Sequence, residues 1–314
     1  MTKISIIGTG NVGATIAYTL AVTGMASEIV MIDINKEKAS GEAMDIRQGT
    51  PFCGSCTVRA GEYSDAVGSN IVIITSGIGR KPGQTRLDLA QTNVNITKMI
   101  IPEITKHAPD ATYVIVSNPV DILTYVFHKY SGIPENRIIG SGTILDTSRV
   151  RSRLSEQFNI AQGNVHAYVF GEHGDSSFVP WSVANISNIP LEDWQNPEVN
   201  PAFNGEKLNY DEIEEYVRKS GGRVIAQKGA TFYAVSISVC HICKCILSGL
   251  DTTMTVSTMM HGEYGIEDVC LSTLNTVGRG GVTGKVNIPL TDAEQWKLHK
   301  SAEALKAVIS ELNI

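Results

Sequence analysis

The sequence predicts an α/β protein with a doubly wound parallel sheet and a second, C-terminal α/β domain. In the first half, short runs of β-branched and aliphatic residues alternate with helical patterns. The strand-like runs are apolar at consecutive positions, which is typical of parallel strands covered by helices on both faces. After about residue 142 the pattern becomes mixed, and a polar segment rich in Asn, Pro and Glu occupies residues 190–215. We therefore expect one domain over residues 1–142 and another over residues 143–314.

The individual elements follow from these patterns in chain order. Predicted strands of the first domain cover residues 4–8, 28–33, 57–61, 70–75, 113–119 and 137–142. Predicted helices between them cover about 11–23, 37–46, 87–104 and 121–130. In the second domain we expect helices at 145–158, around 212–248 and around 292–312, and a strand at 166–171. The sequence contains no internal repeat or low-complexity linker, so the two halves should share an extensive interface.

The composition argues against several kinds of partner. The chain has 314 residues, of which 42% are hydrophobic, and a formal net charge of -6. A net negative charge gives no general attractive field for nucleic acids or anionic membranes. No apolar run reaches the roughly 18 to 20 residues that span a bilayer. The start, MTKISIIGTG, lacks a cleavable signal pattern, so we expect a cytoplasmic protein.

Six cysteines raise the question of a metal site. Cys53 and Cys56 form CGSC, and Cys240, Cys243 and Cys245 lie in CHICKC. Structural zinc needs four converging ligands, whereas CHICKC lies in an apolar stretch that predicts a buried helix, where thiols pack as small hydrophobic groups. We therefore expect no metal, and a reducing compartment disfavours disulfides.

The segment GTGNVG places Gly8, Gly10 and Gly13 directly after the first strand and at the start of a helix. In this G-x-G-x-x-G pattern the first glycine permits a tight turn, the second lets the backbone approach a pyrophosphate, and the third allows close helix–strand packing. Asp33 ends the second strand, at the spacing where an acid can bind ribose hydroxyls. Because a carboxylate would repel a 2′-phosphate, we predict NAD rather than NADP as the cofactor.

A candidate acid–base group lies in GEHGDS, which presents His173 at the end of a predicted strand. Histidine suits proton transfer near neutral pH. In LDTSR, Asp146 and Arg149 share one helix face at i and i+3, so that the carboxylate can orient an imidazole and the guanidinium can bind a substrate carboxylate. The alternative is a surface ion pair. Five other histidines are interpreted as structural: His107, His128, His241, His261 and His299.

The segment SGIGRKPGQTRLD concentrates positive charge on a bendable loop. It contains Arg80, Lys81 and Arg86 around a Pro82-Gly83 elbow, in a chain that is acidic overall. The segment is either a solvated loop or a clamp for an anionic ligand. The glycines and the elbow suit a segment that closes over a site.

Five ordered motifs resemble those of the lactate/malate dehydrogenase family. They are GTGNVG, RKPGQTRLDLAQTN, VSNPVDILTYV, GSGTILDTSR and GEHGDSSFVPWS, and the similarity covers essentially the whole chain. The resemblance implies a Rossmann domain followed by an α/β catalytic domain. It also implies an NAD-dependent enzyme that acts on a small 2-keto or 2-hydroxy acid.

The resemblance assigns roles to individual residues. It implies that His173, paired with Asp146, donates and accepts the proton, that Arg149 binds the substrate carboxylate, and that Arg86 polarises the ketone from the closing loop. Further implied substrate contacts are Asn118, in SNP, and Thr231, in GATFYA. The implied cofactor contacts are Gly8, Gly10, Asn11, Val12, Gly13, Asp33, Thr75, Gly77 and Asn118.

Arg80 bears on the choice of substrate. In this family the residue six positions before the catalytic loop arginine is usually Gln in lactate enzymes and Arg in malate enzymes. An arginine facing the methyl group of pyruvate would lose water without gaining a partner, whereas one facing the second carboxylate of oxaloacetate gains roughly 1.5–3 kcal/mol. We therefore predict oxaloacetate and L-malate as the substrate pair. L-lactate is the alternative, because GEHGDS, TRLDLAQTN and Thr231 are lactate-type and Arg80 can point outward or be neutralised by an acidic residue.

Two further residues concern regulation and assembly. Arg151 and His166 match positions that bind fructose bisphosphate between subunits of bacterial lactate dehydrogenases, and ordinary surface polarity is the alternative. The resemblance also implies a homotetramer. A non-catalytic NAD-binding sensor would share the glycine motif but would not need His173, Asp146 and Arg149 together.

Overall fold

A mixed sheet forms the centre of the computed structural model, which describes residues 2–79, 85–203 and 205–314. The strands are β1 (Lys3–Ile7), β2 (Glu28–Ile32), β3 (Thr57–Ala60), β4 (Ile71–Ile74), β5 (Thr112–Ile115), β6 (Ile138–Gly140), β7 (Val165–His166), β8 (Asn185–Ile186), β9 (Ile189–Pro190), β10 (Thr252–His261), β11 (Glu267–Gly278) and β12 (Gly281–Lys285). The helices are α1 (Asn11–Val22), α2 (Lys36–Gly49), α3 (Arg86–His107), α4 (Val120–Tyr130), α5 (Ile144–Phe158), α6 (Leu191–Trp194), α7 (Tyr210–Lys228), α8 (Tyr233–Leu247) and α9 (Asp292–Glu311).

The strand order confirms the predicted doubly wound parallel sheet. In the described residues the main sheet has the order β12-β11-β10-β6-β5-β4-β1-β2-β3, and β7, β8 and β9 form a small second sheet. Strands β1 to β6 pair in parallel, and β10, β11 and β12 continue the sheet antiparallel beyond β6. The order reverses between β1 and β4, and ligands of such sheets bind at the carboxyl ends of the strands at that point.

The sheet separates two hydrophobic cores, which explains its unbroken apolar strands. On β4, Ile71 and Ile73 belong to the core that is shared with α1 and α8. Val72 and Ile74 belong to the core that is shared with α3, α4 and α9. All four side chains are fully buried. Because successive side chains of a strand point to opposite faces, each position of a strand covered on both faces must be apolar.

The predicted strand 166–171 was wrong for most of its length. Only Val165–His166 pairs as a strand, and Gly171 instead makes an isolated bridge to Ser272 of β11. Gly171 has φ +92°, a left-handed conformation that takes the chain out of an extended path. The segment therefore ends as a turn against the main sheet, and this turn carries His173.

The single helix predicted around 212–248 was also wrong, since the chain forms α7 and α8 there. Gly229 follows α7 with φ +86° and donates its N–H to the Ile225 carbonyl oxygen, which ends the helix. Residues 229–232 then form a turn before α8. A glycine in this conformation is a common helix terminator, but an apolar pattern on both sides of it conceals the break.

The CHICKC segment lies in a buried helix, as predicted. Cys240, Cys243 and Cys245 of α8 are at most 5% exposed and belong to the core between α8, α1 and the sheet. Burial raises the pKa of the Cys240 thiol to about 12 and that of Cys243 well above its usual value. The thiols are therefore neutral packing groups. Among the helices of the described ranges, none is both long and apolar enough to cross a membrane.

We expect Gly13→Ala to destabilise the fold and Gly10→Ala to leave it nearly unchanged. A Cβ at Gly13 would lie 1.9 Å from the Gly8 carbonyl oxygen, whereas one at Gly10 meets no described atom within 4 Å. The backbone clash should lower the free energy of unfolding by about 3 kcal/mol or more, against less than about 1 kcal/mol for Gly10→Ala. Urea unfolding followed by circular dichroism measures both changes. Equal stabilities of the two variants would contradict the prediction.

Candidate active site at the carboxyl ends of the strands

The turn after β1 packs its backbone against the turn after β4. Gly8 has φ +100°, and its N–H donates to the Ile32 carbonyl oxygen at 2.8 Å. Thr75 Oγ1 donates to the Gly8 carbonyl oxygen at 2.8 Å. A Cβ on Gly8 would lie 2.8 Å from the Ser76 nitrogen. Glycine is therefore needed here both for the left-handed turn and for the close approach of the second turn.

The N-terminus of α1 faces solvent at this switch point. Gly10 is the N-cap, and no side chain of the described residues caps the helix. The first N–H groups, those of Asn11, Val12 and Gly13, have no intrahelical acceptor, and the helix dipole makes this end partly positive. Gly10 and Asn11 are exposed. This combination is suited to binding a phosphate.

Asp33 follows β2 and lies beside the glycine turn. Thr9 donates to Asp33 Oδ2 from its backbone nitrogen at 2.6 Å and from Oγ1 at 3.1 Å, and the Asn35 nitrogen donates to Oδ1 at 2.9 Å. Burial raises the pKa of Asp33, but these hydrogen bonds outweigh burial and the net shift is downward. The side chain is therefore a carboxylate at neutral pH, with lone pairs left for hydroxyl donors.

Asn93 of α3 ties the turn after β4 to the turn after β5. Its Oδ1 accepts from the Ile78 nitrogen at 2.9 Å, and its Nδ2 donates to the Asn118 carbonyl oxygen at 2.7 Å. Asn93 is 2% exposed, and a Cβ on Gly77 would lie 3.2 Å from its Oδ1. Asn93 was not predicted as a site residue. What indicates it in the sequence is an amide on the buried face of α3. Gly77 and Asn118 are held close together through this side chain.

The second-domain candidates meet around one buried carboxylate. His173 Nδ1 lies 2.6 Å from Asp146 Oδ2, and Arg149 Nη1 donates to Asp146 Oδ1 at 2.7 Å. The Asp146 side chain is 6% exposed, whereas those of His173 and Arg149 are 25% and 17% exposed. The predicted juxtaposition of these three side chains is present. The alternative of a surface ion pair does not describe a carboxylate that is this deeply buried.

Charge around Asp146 fixes the protonation of the pair. Burial raises the pKa of Asp146, but the neighbouring His173 and Arg149 together lower it by more, so the net shift is downward. Burial lowers the pKa of His173, but the charge of Asp146 and its hydrogen bond outweigh burial, so the net shift is upward. Because Asp146 is an acceptor, His173 carries a proton on Nδ1, and Nε2 is the nitrogen left for chemistry.

One pocket contains both His173 and Asn118. Its remaining walls come from the residue after β5, from the turn between β6 and α5, from the start of α5 and from α8. The lining residues there are Val116, Ser141, Gly142, Ile144, Leu145, Val235, Ser238 and Val239. Thr231 is half-buried in the turn before α8. It does not belong to the described residues that line this pocket. The pocket lies on the same edge of the sheet as the glycine turn.

Arg86 begins α3 and pairs with Asp175 in the described part of the chain. The Nη1 atom of Arg86 donates to Asp175 Oδ2, and the two side chains are 77% and 75% exposed. An ion pair this exposed contributes at most about 1 kcal/mol, so Arg86 can exchange Asp175 for another acceptor at little cost. Arg80, with Lys81 and the Pro82-Gly83 elbow, lies outside the described residues.

Two family models together match almost the whole chain. They are described as the NAD binding domain of lactate/malate dehydrogenase, over residues 2–140, and its alpha/beta C-terminal domain, over residues 143–313. The chain belongs to the lactate/malate dehydrogenase family. It is an NAD-dependent dehydrogenase of 2-hydroxy acids.

Individual relatives match over their full length. An L-lactate dehydrogenase of Thermoanaerobacter sp. (strain X514) is 47% identical over 314 residues, which is 100% of both chains. An L-lactate dehydrogenase of Acetivibrio thermocellus is 45% identical and is matched over 99% of this chain and 98% of its own. The solved structure of the minor L-lactate dehydrogenase from Enterococcus mundtii has a TM-score of 0.95 at 36% identity, covering 100% of this chain and 99% of that one.

The glycine turn of this family member fits NAD. The absence of a side chain at Gly10 leaves space for a pyrophosphate, and a Cβ would fill this space. The α1 N-terminus supplies N–H donors and a positive dipole end. The Asp33 carboxylate suits ribose hydroxyls and disfavours a 2′-phosphate. Thr75 lies behind the turn and supports it through the Gly8 carbonyl.

Arg151 and His166 lie together in a different cavity of the dehydrogenase. This open cavity of about 630 Å³ is also lined by Thr147, Tyr168 and His241. The Nε atom of Arg151 is buried and has no hydrogen-bond partner among the described residues, and its guanidinium lies 6.0 Å from the Tyr168 ring. The two predicted residues are therefore close to each other.

We expect Gly10→Ala to weaken NADH binding without unfolding the dehydrogenase. The added methyl group occupies the space in which a pyrophosphate would approach the turn, although it meets no described atom of the protein itself. NADH affinity, measured by fluorescence titration, should fall at least about tenfold, which corresponds to about 1.4 kcal/mol. Gly132→Ala is the control for backbone strain at a glycine outside the site. Gly132 has φ +67°, and a Cβ there would meet no described atom within 4 Å. Unchanged affinity in Gly10→Ala would contradict the assignment of the pyrophosphate site.

Proposed function

We propose that this dehydrogenase interconverts L-lactate and pyruvate, with His173 as the acid–base group. The observation that carries the reaction is the cluster in which His173 and Arg149 bind opposite oxygens of Asp146. The substrate pair is supported by relatives that are 45–47% identical over nearly their whole length and named L-lactate dehydrogenase. These relatives favour the lactate alternative over the malate prediction that was based on Arg80.

The proposed reduction divides the work among a few side chains. Arg149 uses guanidinium N–H groups that do not face Asp146 to bind the carboxylate of the keto acid. When bound, NADH supplies a hydride for the carbonyl carbon. His173 donates the Nε2 proton to the carbonyl oxygen, and Asp146 stabilises the imidazolium before this transfer. In the reverse direction neutral His173 accepts the hydroxyl proton of the 2-hydroxy acid.

Arg86 is proposed to polarise the carbonyl. A guanidinium close to the carbonyl oxygen stabilises the negative charge that develops there, and the exclusion of water strengthens this effect. Arg86 must leave Asp175 to do so, and the exposure of that pair makes the exchange inexpensive. Asn118, in the same pocket as His173, is proposed to contact the substrate, and Thr231 is proposed to contact it from the turn before α8.

L-malate is the second candidate, because Arg80 is the malate-type residue at its position. A pyruvate enzyme with this arginine requires that Arg80 point away from the substrate or that an acid neutralise it. A malate enzyme requires that Arg80 face the second carboxylate. The two functions therefore differ in the surroundings of one side chain and share His173, Asp146 and Arg149.

We expect kcat/KM with NADH to be at least about tenfold higher for pyruvate than for freshly dissolved oxaloacetate. Arg80→Gln should raise this ratio further, because it removes the cation that the malate hypothesis assigns to the second carboxylate. Lys81→Gln removes a neighbouring positive charge from the same loop and serves as the control with little effect on the ratio. A wild-type preference for oxaloacetate that Arg80→Gln reverses would refute the lactate assignment and establish the malate one.

Arg149→Lys should raise the KM for the keto acid about 10- to 100-fold, with a smaller effect on NADH affinity. Lysine keeps the charge but loses the planar pair of donors that fits a carboxylate, a difference of roughly 1.5–3 kcal/mol. Arg153→Lys is the matched control, one turn further along α5, where the arginine forms an exposed pair with Glu156. Equal KM values for the two variants would remove Arg149 from the substrate site.

We also propose a homotetramer, an anionic effector at Arg151 and His166, and a domain division near residue 142. The two residues share a cavity that contains an arginine Nε with no described partner, which suits a phosphate ester. Light scattering coupled to gel filtration tests the assembly, and an assembly smaller than a tetramer with and without fructose bisphosphate would overturn the first of these proposals. Assays of kcat/KM with and without fructose bisphosphate test the effector, and identical values would overturn the second.

A further inference from the structure

Asp121 is a buried carboxylate directly beneath the turn that carries His173. It lies in the first turn of α4 and is 2% exposed. The His173 backbone N–H donates to Asp121 Oδ2 at 2.8 Å, and Ser257 Oγ of β10 donates to Oδ1 at 2.6 Å. The carboxylate thus connects α4, β10 and the 171–176 turn, which are far apart in sequence.

We propose that Asp121 is a positioning residue for the reaction, which fixes the His173 backbone and adds a second negative charge that favours the protonated imidazole. The inference rests on the proposed acid–base role of His173. Asp146 binds the imidazole ring directly, whereas Asp121 acts from the opposite end of the residue, through its N–H and through space. The histidine is therefore held between two carboxylates.

A purely structural role does not require a charge at this place. An asparagine has the same shape, and its amide oxygen can still accept the His173 N–H. A buried carboxylate is costly, and burial raises the pKa of Asp121 to about 6 although the hydrogen bonds from Ser257 and His173 oppose this shift. At pH 7 and above Asp121 is mostly ionised, so its charge is present when His173 must hold a proton.

The groups that face these two side chains determine the sign of the effect. Asp121 is faced by His173 and Glu172 of the turn and by the Cys270 thiol of β11, which stays neutral because burial raises its pKa well above the usual value. His173 is faced by Asp146, Asp121 and Arg149. The two carboxylates favour the imidazolium, and burial and Arg149 oppose it. Removing the charge of Asp121 therefore lowers the pKa of His173 without removing Asp146.

This shift affects the two directions of the reaction oppositely. Reduction of the keto acid needs protonated His173, and oxidation of the hydroxy acid needs the neutral form. In Asp121→Asn, kcat/KM for pyruvate reduction should therefore decline at lower pH than in the wild type. Oxidation of L-lactate should remain active to lower pH. A general loss of structure would instead reduce both directions at every pH.

The test compares Asp121→Asn with the wild type and with Asp268→Asn, which removes an exposed carboxylate bound to Lys129. We expect the ratio of reductive kcat/KM at pH 9 to that at pH 6 to fall at least about threefold in Asp121→Asn and to stay unchanged in Asp268→Asn. Ser257→Ala, which removes one hydrogen bond from the Asp121 carboxylate, should shift the profile in the same direction by less. A ratio in Asp121→Asn equal to that of the wild type overturns the proposal. If that variant does not fold, an unshifted Ser257→Ala profile overturns it.

A second measurement separates this proposal from that of the acid–base role. The titration of His173, followed by NMR of ¹³Cε1-labelled histidine and assigned with His173→Gln, should move to lower pH in Asp121→Asn, whether or not the protein turns over substrate. An unmoved titration overturns the role of Asp121. Full activity in His173→Gln would instead overturn the proposed acid–base role of His173, and the NMR result would still decide whether Asp121 sets its protonation.

Discussion

The active site depends on the narrow join between the parallel and the antiparallel parts of the main sheet. There β10 pairs with β6 through Ser257 and Gly140. A Cβ on Gly140 would lie 2.4 Å from Thr124 Oγ1, and one on Gly142 would lie 2.3 Å from Ser272 Oγ. These two glycines let α4, β10 and β11 approach the end of β6 closely. The start of α5, with Asp146, follows immediately.

The same join brings together His173 and Asp146, the proposed acid–base pair. Ser257 next to Gly140 holds Asp121, and Asp121 holds the His173 backbone. On β11, Ser272 pairs with Gly171 at the start of the same turn. The turn is thus held at Gly171 by β11 and at His173 by Asp121 of α4, which in turn is bound by Ser257 of β10, and the histidine ring contacts Asp146 of α5. A junction held by several contacts suits proton transfer, which needs a precise donor position.

The sequence predicts those parts of the site whose geometry follows from a short local pattern. The glycine turn, Asp33 and the i, i+3 pair of Asp146 and Arg149 are short-range features whose geometry follows from one strand end or one helix. Asp121 and Asn93 are different, because each binds backbone groups of distant segments. Asp121 binds the N–H of a residue 52 positions away, and a backbone donor leaves no trace in the residue types. Such contacts become visible only once the topology is known.

The errors in the predicted elements have the same origin. Apolar residues occur on both sides of Gly229, so the predicted helix ran through a left-handed glycine that separates two helices. In the segment 166–171, β-branched and aromatic residues indicated a strand, but Gly171 leaves the extended conformation to meet Ser272. In both places one glycine overrides the propensity of its neighbours, because tertiary contact determines the backbone there.

Substrate choice is separable from the rest of this arrangement. In the proposed reaction, Arg149, His173 and Arg86 act on the carboxylate, the oxygen and the developing charge that every 2-keto acid shares. None of these contacts distinguishes a methyl group from a second carboxylate, and neither does the buried network of Asp121, Asp146 and Ser257. Discrimination must therefore come from side chains at the far end of the substrate, which is the place that the malate hypothesis gives to Arg80. This chain combines a malate-type arginine at position 80 with the complete cluster of His173, Asp146 and Arg149, within a sequence that resembles lactate enzymes over its whole length.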